Sequence, residues 1–212
     1  MPPKVEIGIC LVVDDHPLFG EALAIGVARI DPDCEVLHAA SFGQAQRILE
    51  RQPNIDLVLL DLMLPDVLGL RALSTFRAEL PLAKLIMVSG REEDAVIRTA
   101  MACGADGFIG KSQPLEQLIA QLERVLLGEH VFPATGRSDR TDRSSQVTAG
   151  LSPAQLRILV ALADGRLNKQ IAHDLDLAEA TVKSHLSAIF RKLGVNNRSQ
   201  AILMARELIA TD

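Results

Sequence analysis

The chain has 212 residues, 48% of them hydrophobic, and a formal net charge of −5. This is enough apolar sequence for one large globular domain or two small ones. No apolar run approaches the ~20 residues that a membrane span needs, and residues 1–4 do not begin a signal sequence, so we expect a cytoplasmic protein. Three cysteines without CxxC spacing, Cys10, Cys34 and Cys103, are expected to be buried free thiols.

The charge is unevenly distributed along the chain. Residues 1–127 carry 11 Lys and Arg against 18 Asp and Glu, a net charge of −7. Residues 128–150 carry three of each kind, and residues 151–212 carry eight basic against six acidic residues, a net charge of +2. This distribution indicates two modules with different partners, and the basic second module suits nucleic acid.

The first module alternates apolar segments of strand length with segments of helical periodicity. Helix-start signals support the assignment, among them Ser41 as an N-cap and Pro114 near the start of the last helix. The predicted strands are 7–13, 35–39, 57–61, 85–88 and 107–109, and the predicted helices are 18–30, 42–51, 69–80, 92–102 and 114–127. This alternation predicts an α/β fold, a five-stranded doubly wound parallel sheet with helices on both faces.

Polar side chains stand where four of these strands end. The third strand is an apolar run of the kind that is buried on both faces of a sheet, and Asp61 stands at its carboxyl end. Asp14 and Asp15 follow the first strand, Ser89 follows the fourth, and Lys111 follows the fifth. Because the carboxyl ends of parallel strands share one edge, we expect these five side chains to form one site.

The chemistry of these side chains points to phosphoryl transfer. Three carboxylates in one crevice repel each other unless a cation lies among them, and oxygen ligands of this kind suit Mg²⁺. A lysine and a serine hydroxyl are suited to bind a phosphoryl group. The site therefore predicts phosphoryl transfer to a carboxylate.

The order of these residues identifies a family resemblance. The module resembles the receiver domain of bacterial two-component response regulators, a flavodoxin-like fold, in its sequence of Asp14 and Asp15, Asp61, Ser89, Phe108 and Lys111. The resemblance implies that Asp61 accepts a phosphoryl group from a phosphohistidine on a sensor histidine kinase. It also implies Mg²⁺ as cofactor and no turnover beyond slow Mg²⁺-dependent autophosphorylation and autodephosphorylation.

The same resemblance assigns further roles. The Mg²⁺ ligands that it implies are Asp15, Asp61 and the backbone carbonyl of Met63, with Asp14 assisting through water. Ser89 would turn to bond the new phosphate, and Phe108 would turn inward behind it. The surface around the fourth helix and the fifth strand would then shift, as in a two-state element biased by one added charge.

Residues 128–150 differ in composition from the segments on either side. From residue 134 onward they are rich in Thr, Ser, Gly, Asp and Arg and offer little to bury, which favours a flexible linker. The arginines Arg137, Arg140 and Arg143 have aspartates between them, which favours a solvated tether over a nucleic-acid-binding arm. The predicted domains are therefore 1–127, a linker at 128–150, and 151–212.

The second module is short and predicted to be helical throughout. Ser152 and Pro153 form a helix start, and Gly194 is a stop signal. The predicted helices are 153–163, 168–175, 179–193 and 198–208. The second and third, joined by a tight turn, describe a helix-turn-helix in a small all-α four-helix domain.

The third of these helices separates apolar from polar side chains. We expect its core face to consist of Val182, Leu186, Ile189 and Leu193. On its other faces, Lys183 can donate to guanine, and serines can pair with several bases or with phosphate. The candidate DNA contacts are Lys169, Thr181, Lys183, Ser184, Ser187, Arg191, Lys192 and Arg198.

Residues 151–205 resemble the LuxR-type helix-turn-helix. The matching segments are 164–165 (Asp-Gly), 168–172 (Asn-Lys-Gln-Ile-Ala), 181–185 (Thr-Val-Lys-Ser-His) and 192–195 (Lys-Leu-Gly-Val). Ala154 and Gln155 replace the Arg-Glu pair usual in the first helix, which predicts the loss of an internal ion pair. Ala178 stands where Ser or Thr commonly caps the recognition helix, a loss of about 1 kcal/mol that Glu179 recovers in part.

Together the two resemblances describe a NarL/FixJ-type response regulator. They imply that phosphorylation of Asp61 promotes dimers, which read two inverted half-sites. The implied partners are a sensor histidine kinase, double-stranded promoter DNA, a second copy of the chain and RNA polymerase, with no membrane. The last helix supplies part of the DNA-bound dimer contact in relatives, although its apolar residues Ile202, Leu203 and Leu208 equally suit an intramolecular core.

Two other classes of function remain open at this point. An aspartyl-phosphate phosphatase would use Asp14 as nucleophile, but it usually needs a cap or a longer core and leaves the second module unexplained. A phosphorylation-independent DNA binder would carry a vestigial acid site, although no site residue is missing. A dinucleotide-binding fold is excluded, because no glycine-rich turn follows the first strand.

Overall fold

The computed structural model describes residues 6–67, 69–133 and 150–210. Within them the chain forms two compact units, one built around a β-sheet and one made of helices. The predicted linker residues 134–149, with Arg137, Arg140 and Arg143, lie outside the described residues. Among the described helices, none is long and apolar enough to cross a membrane.

Five parallel strands form one sheet in the order β2-β1-β3-β4-β5. The strands are β1 Ile9–Val13, β2 Glu35–Ala39, β3 Leu57–Asp61, β4 Lys84–Ser89 and β5 Gly107–Gly110. Every residue of the central β3 is buried, which confirms the prediction of a strand covered on both faces. The winding direction reverses between β1 and β3, and this switch point opens a crevice at the carboxyl ends of the strands.

Helices cover both faces of the sheet. They are α1 Pro17–Ile30, α2 Phe42–Leu49, α3 Gly69–Glu79 and α5 Leu115–Leu126. The helix α4 Asp94–Ala102 follows β4 in the chain and belongs to the second compact unit. On one face α1 and α5 pack into a common core with alternate strand residues such as Leu57 and Leu59. On the other face α2 and α3 meet through the rings of Phe42 and Phe76, whose centroids are 5.5 Å apart. The predicted doubly wound sheet is confirmed.

The described element bounds agree with the predicted ones to within two residues, and hydrogen bonds explain two of them. The Ser41 side chain accepts the Gln44 amide at 3.2 Å, which confirms it as the N-cap of α2. Strand β1 begins two residues later than predicted. Ile7 is not part of the strand, because its amide donates to a carboxylate oxygen of Asp31 at 2.8 Å instead of to a backbone carbonyl of a neighbouring strand.

The sheet unit continues past residue 127, the end that the sequence predicted for it. The amide of Phe108 donates to the carbonyl of Val131 at 2.8 Å, and the Val131 side chain packs in the core shared with α1 and α5. Val131, in the described start of the predicted linker, thus forms an isolated parallel bridge with Gly107 at the edge of β5. The rest of the division into domains stays a prediction.

Four helices are described after residue 150, and they form one compact unit together with α4. They are α6 Pro153–Ala163, α7 Asn168–Asp174, α8 Glu179–Leu193 and α9 Arg198–Ala210. Asp176, in the turn between α7 and α8, has φ +52°, a left-handed conformation that Asp tolerates better than most residues. Gly194 ends α8 at φ +68°, as predicted. The predicted core face of α8 is buried in full, with Val182, Leu186, Ile189 and Leu193.

The two departures from the LuxR-type pattern, at Gln155 and at Ala178, have different structural consequences. Gln155 forms a reciprocal capping box with Ser152, and its Oε1 also accepts Lys192 Nζ at 2.8 Å, so a hydrogen bond stands where relatives are expected to have an ion pair. Ala178 is the N-cap of α8 and makes no side-chain cap, as predicted. Glu179 in the first turn is ion-paired with Lys183 at 2.8 Å.

Candidate functional site

The strand register brings the predicted acids to one edge of the sheet. Val13 is paired with Leu60, so Asp14 and Asp61 each extend one residue beyond this pair on neighbouring strands. Asp61 is paired with Val88, which places Ser89 one residue further along β4. Asp14 and Asp61 are buried, at 8% and 3% exposure, while Asp15 is exposed. The predicted gathering of these residues is thus observed in the structure.

Lys111 joins the two buried carboxylates. Its Nζ lies 2.7 Å from Asp14 Oδ2 and 2.7 Å from Asp61 Oδ2. The same ammonium lies 4.8 Å from the centroid of the Phe19 ring in α1, a cation–π contact that the sequence did not predict. A single positive charge therefore neutralises part of two negative ones and fixes one oxygen of Asp61.

Asp61 carries a perturbed carboxyl group. Burial raises the pKa of Asp61 above its usual range, and the charge of Asp14 raises it further. The hydrogen bond and the charge of Lys111, and a hydrogen bond from the Met63 amide to Oδ1 at 3.3 Å, oppose this rise without cancelling it. A buried acid with a shifted pKa at a sheet switch point is typical of a functional group.

Four residues at this edge could hold a metal ion. Asp14, Asp15, His16 and Asp61 each offer one ligand atom, and these atoms all lie within 4.8 Å of one another. The three carboxylates are hard oxygen donors, which fit Mg²⁺. His16 was not predicted as a site residue, although its place directly after Asp14 and Asp15 is a signal that could have indicated it.

Backbone contacts position the Asp61 loop. The amide of Gly69, at the start of α3, donates to the Leu62 carbonyl at 2.9 Å. A Cβ on Gly69 would lie 2.3 Å from the Asp61 carbonyl oxygen, so only glycine allows this approach. Further along the loop, the Asp66 carboxylate accepts the amides of Phe42 and Gly43 at 3.0 and 2.8 Å and caps α2. Neither role was predicted from sequence.

Ser89 and Phe108 occupy the positions predicted for the switch. Ser89 Oγ accepts the amide of Arg91 at 3.0 Å, an arrangement in which its hydroxyl hydrogen can be donated elsewhere. Phe108 is fully buried in the described conformation, so its ring points inward. The predicted movement of both side chains on phosphorylation stays a prediction.

The described helical unit presents polar residues on one exposed surface of α8. Thr181, Lys183, Ser184, Ser187 and Arg191 are all exposed, opposite the buried apolar face. This is the arrangement of a helix that packs by one face and offers the other to a groove in DNA. Lys169 in α7 is exposed as well.

Two of the predicted DNA contacts, Lys192 and Arg198, are hydrogen-bonded to residues outside their own helices. Lys192 Nζ is bonded to Gln155, as described above, and the Arg198 guanidinium donates to Asn168 Oδ1 at 2.9 Å and to the Arg166 carbonyl. These bonds tie the ends of α8 and α9 to α6 and α7. Their participation in DNA binding stays a prediction, because both side chains have a structural role.

Comparison with known proteins assigns both units. The family model described as response regulator receiver domain matches residues 10–123, and the model described as bacterial regulatory proteins, luxR family, matches residues 149–205. The glycerol metabolism activator of Pseudomonas putida is 38% identical over 209 residues, covering 93% of this chain and 95% of that protein. The nitrate/nitrite response regulator protein NarL of Escherichia coli is 33% identical over 214 residues, with 95% and 96% coverage.

Solved structures agree with this assignment. A LuxR family DNA-binding response regulator from Silicibacter pomeroyi has a TM-score of 0.52 at 30% identity, covering 60% of this chain and 98% of that one. RcsB from Salmonella enterica, bound to a promoter with the phosphomimetic BeF₃⁻, has a TM-score of 0.56 at 18% identity, with 94% and 98% coverage, and shows similarity of fold alone. The chain belongs to the LuxR family of two-component response regulators, which join a receiver domain to a helix-turn-helix DNA-binding domain.

Proposed function

We propose that this regulator is controlled by phosphorylation of Asp61, with a phosphohistidine of a sensor histidine kinase as donor. The observation that carries the proposal is the buried Asp61 carboxylate, with Oδ2 held 2.7 Å from the Lys111 ammonium beside Asp14. In the transfer, a carboxylate oxygen of Asp61 forms a bond to phosphorus while the bond from phosphorus to the histidine nitrogen breaks. The leaving imidazole takes up a proton from solvent.

The chain's own residues orient the acceptor and bind the product. Lys111 holds one oxygen of Asp61, and the Met63 amide holds the other. Lys111 and the Ser89 hydroxyl are the donors for the oxygens of the added phosphoryl group. Phe108 packs behind Ser89 in the phosphorylated state and couples the site to the surface near β5.

Mg²⁺ is the cofactor in this proposal, and the donor set described above fits it. The proposed ligands are Asp15, Asp61 and the backbone carbonyl of Met63, with Asp14 through water. When bound, the cation supplies positive charge that offsets the charges of the carboxylates and the phosphoryl oxygens. Apart from slow Mg²⁺-dependent gain and loss of its own phosphoryl group, we propose no catalytic turnover.

The exposed surface of α8 is the proposed reader of promoter DNA. We propose that Lys183 and the exposed hydroxyls contact bases, and that Arg191 and Lys169 contact phosphates. Phosphorylation favours a dimer whose two α8 helices read inverted half-sites. RcsB, which is similar to this chain in fold, has been solved as two dimers bound to two parallel DNAs. The exposed Leu203 of α9 is available for part of the dimer contact.

The decisive experiment is phosphorylation with acetyl phosphate and Mg²⁺. We expect one added phosphoryl group by intact mass and a doubled molar mass by light scattering, because the charge added at Asp61 shifts the receiver toward its dimer-forming state. Asp61→Asn should remove both effects. Asp66→Asn is the matched control, since it changes an exposed acid of the same loop that caps α2 and does not border Lys111.

Uptake at a residue other than Asp61 would contradict the proposal. So would no uptake by the wild-type chain under conditions in which it binds DNA. The second result would favour the phosphorylation-independent regulator with a vestigial receiver.

A further inference from the structure

Gln155 supplies a neutral hydrogen-bond partner to a lysine near the end of α8. Its Oε1 accepts a hydrogen bond from Lys192 Nζ at 2.8 Å and another from the backbone amide of Ser152 at 3.0 Å. We propose that Gln155 is a positioning residue for DNA binding, which holds the Lys192 ammonium, with its charge intact, where it contacts a DNA phosphate. This inference rests on the proposed function, because it assumes that α8 faces DNA.

The folded helical unit itself fixes the Gln155 side chain. Gln155 is only 7% exposed, and its backbone amide donates to Ser152 Oγ at 3.3 Å, which completes the capping box of α6. The Oε1 atom that this box orients is the atom that accepts Lys192. Because the acceptor is buried and fixed, part of the conformational entropy of the long lysine side chain is lost on folding and not on binding DNA.

The place of Lys192 on α8 suits the DNA backbone better than the bases. Lys192 is exposed, while Ile189 and Leu193, its neighbours on the helix surface, are buried. It follows Thr181 by about three helical turns and lies on the same side of the helix, at the border between the exposed polar surface and the core face. The border of a helix that enters a groove lies beside the groove walls, where the phosphates are.

The neutrality of the Gln155 amide decides how much charge Lys192 offers to DNA. An ammonium has three donors, so the bond to Oε1 leaves two for phosphate oxygens. An amide oxygen accepts this bond without a negative charge, whereas a carboxylate at the same place would neutralise the lysine. Within residues 6–67, 69–133 and 150–210, Lys192 forms no ion pair, in contrast to Lys183, which is paired with Glu179.

Gln155→Glu separates this role from the simpler alternative, in which the bond only joins α6 to α8. Glutamate retains the capping box and places a negative charge beside Lys192, so we expect a melting temperature at least as high as that of the wild type. DNA binding is measured by fluorescence anisotropy with a synthetic mixed-sequence duplex and the full-length chain treated with acetyl phosphate and Mg²⁺. The affinity of Gln155→Glu should be about fivefold weaker, with a salt slope lower by about one per bound protomer.

Two further variants complete the test. Lys192→Gln, which keeps a donor for Oε1 but removes the charge, should show the same loss of affinity and of salt slope. Gln170→Glu is the matched control, because among the described residues the Gln170 Oε1 accepts only the Leu167 amide, at 2.8 Å. The same added charge at residue 170 should change the affinity by less than about twofold and leave the salt slope unchanged.

An unchanged affinity in Gln155→Glu, an unchanged salt slope in Lys192→Gln, or an equal loss in Gln170→Glu would overturn the inference. If Gln155→Glu does not fold, its melting curve shows this, and Lys192→Gln then decides. Arg191→Ala on the same duplex tests the proposed function separately. If Arg191→Ala lowers the salt slope and Lys192→Gln does not, only the inference fails; if neither does, the assignment of the DNA surface to α8 fails as well.

Discussion

At the scale of single residues, the Asp61 carboxylate is 3% exposed, and burial raises its pKa above the usual range. Its ionised form is therefore less favourable in the folded chain than in the unfolded one. The folded state still binds a proton at pH values where the unfolded chain, with a pKa of about 3.9, has released it. Stability consequently falls as the pH rises through this interval, and the full penalty is present above the folded pKa.

Asp61→Asn should remove that penalty. We expect the variant to melt at a higher temperature than the wild type at pH 7 in EDTA, because Lys111 keeps Asp14 as a partner at 2.7 Å. The difference should shrink as the pH falls through the raised pKa of the wild-type Asp61 carboxyl, because the protonated carboxyl no longer carries the penalty. Thermal melts across this range are the measurement. A lower melting temperature for the variant at pH 7 would show that the Lys111 pair outweighs burial.

Gly69 is the second residue whose role the structure identifies. Alanine is ordinarily better than glycine in a helix by about 1 kcal/mol. At this position, however, a Cβ would lie 2.3 Å from the Asp61 carbonyl oxygen and 2.6 Å from the Leu62 Cα, and backbone atoms cannot yield cheaply. We expect Gly69→Ala to destabilise the sheet unit by about 1–3 kcal/mol and to slow phosphate uptake.

Gly90→Ala is the matched control for that variant. A Cβ on Gly90 would meet no atom within 4 Å, so this change should be close to neutral. Calorimetric melting temperatures and the rate of uptake from acetyl phosphate test both variants. Equal effects of the two substitutions would contradict the steric explanation.

At the scale of secondary-structure elements, α8 lacks a side-chain cap at Ala178. The residue already has the extended conformation of an N-cap (φ −70°, ψ 144°), so a serine there needs no change of backbone. We expect Ala178→Ser to stabilise the helical unit by about 1 kcal/mol. The gain in stability should not exceed this value, because the negative charge of Glu179 already complements the dipole at the helix N-terminus.

The matched control for the cap is Ala180→Ser, two residues into the same helix, where a hydroxyl cannot occupy the N-cap position. Scanning calorimetry of the full chain measures the melting of the helical unit in both variants. We expect a rise for Ala178→Ser alone. A similar rise for both would show that general polarity, and not capping, is responsible.

At the scale of the whole molecule, the segment with a net positive charge, which favours DNA binding, is the carboxyl-terminal part of an otherwise acidic chain. Residues 151–212 carry a net charge of +2 within a total of −5. Affinity for DNA should therefore depend on a few exposed basic residues of the helical unit and fall steeply with salt.

Substitutions on α8 should distinguish contacts to bases, which give sequence specificity, from contacts to phosphates, which give affinity for any DNA. We expect Lys183→Ala to reduce the binding free energy for promoter DNA by about 1–3 kcal/mol and to reduce discrimination against other sequences. The loss is offset in part, because wild-type Lys183 has to break its ion pair with Glu179 before it binds DNA. Arg191→Ala should weaken both kinds of DNA alike and lower the salt slope by about one. Fluorescence anisotropy titrations at several salt concentrations measure the affinity for promoter DNA, the affinity for other DNA and the salt slope of each.

The exposed Arg124 of the sheet unit, paired with Glu129, supplies the control substitution to alanine. It should leave both affinities and the salt slope unchanged. A loss of specific binding with Arg124→Ala as large as with Lys183→Ala would contradict the assignment of the DNA surface to α8.

Local sequence determined the element types, the strand ends and the core face of α8. Apolar runs that stop at a carboxylate, and periodic apolar positions bounded by Ser152 and Gly194, are signals carried by neighbouring residues. For the same reason the acids, the lysine and the serine could be placed on one edge before their distances were known. The bounds of β1 were less predictable, because a distant carboxylate, Asp31, decides where pairing begins.

Only the tertiary structure decided which residues from distant parts of the sequence these side chains contact. The bonds of Lys192 to Gln155 and of Arg198 to Asn168 join residues 37 and 30 positions apart, and no local pattern encodes them. The same holds for the Gly69 approach to Asp61 and for the packing of Val131 beyond the expected end of the sheet unit. Periodicity specifies which face a side chain takes, whereas contacts between elements depend on how the packed chain brings distant segments together.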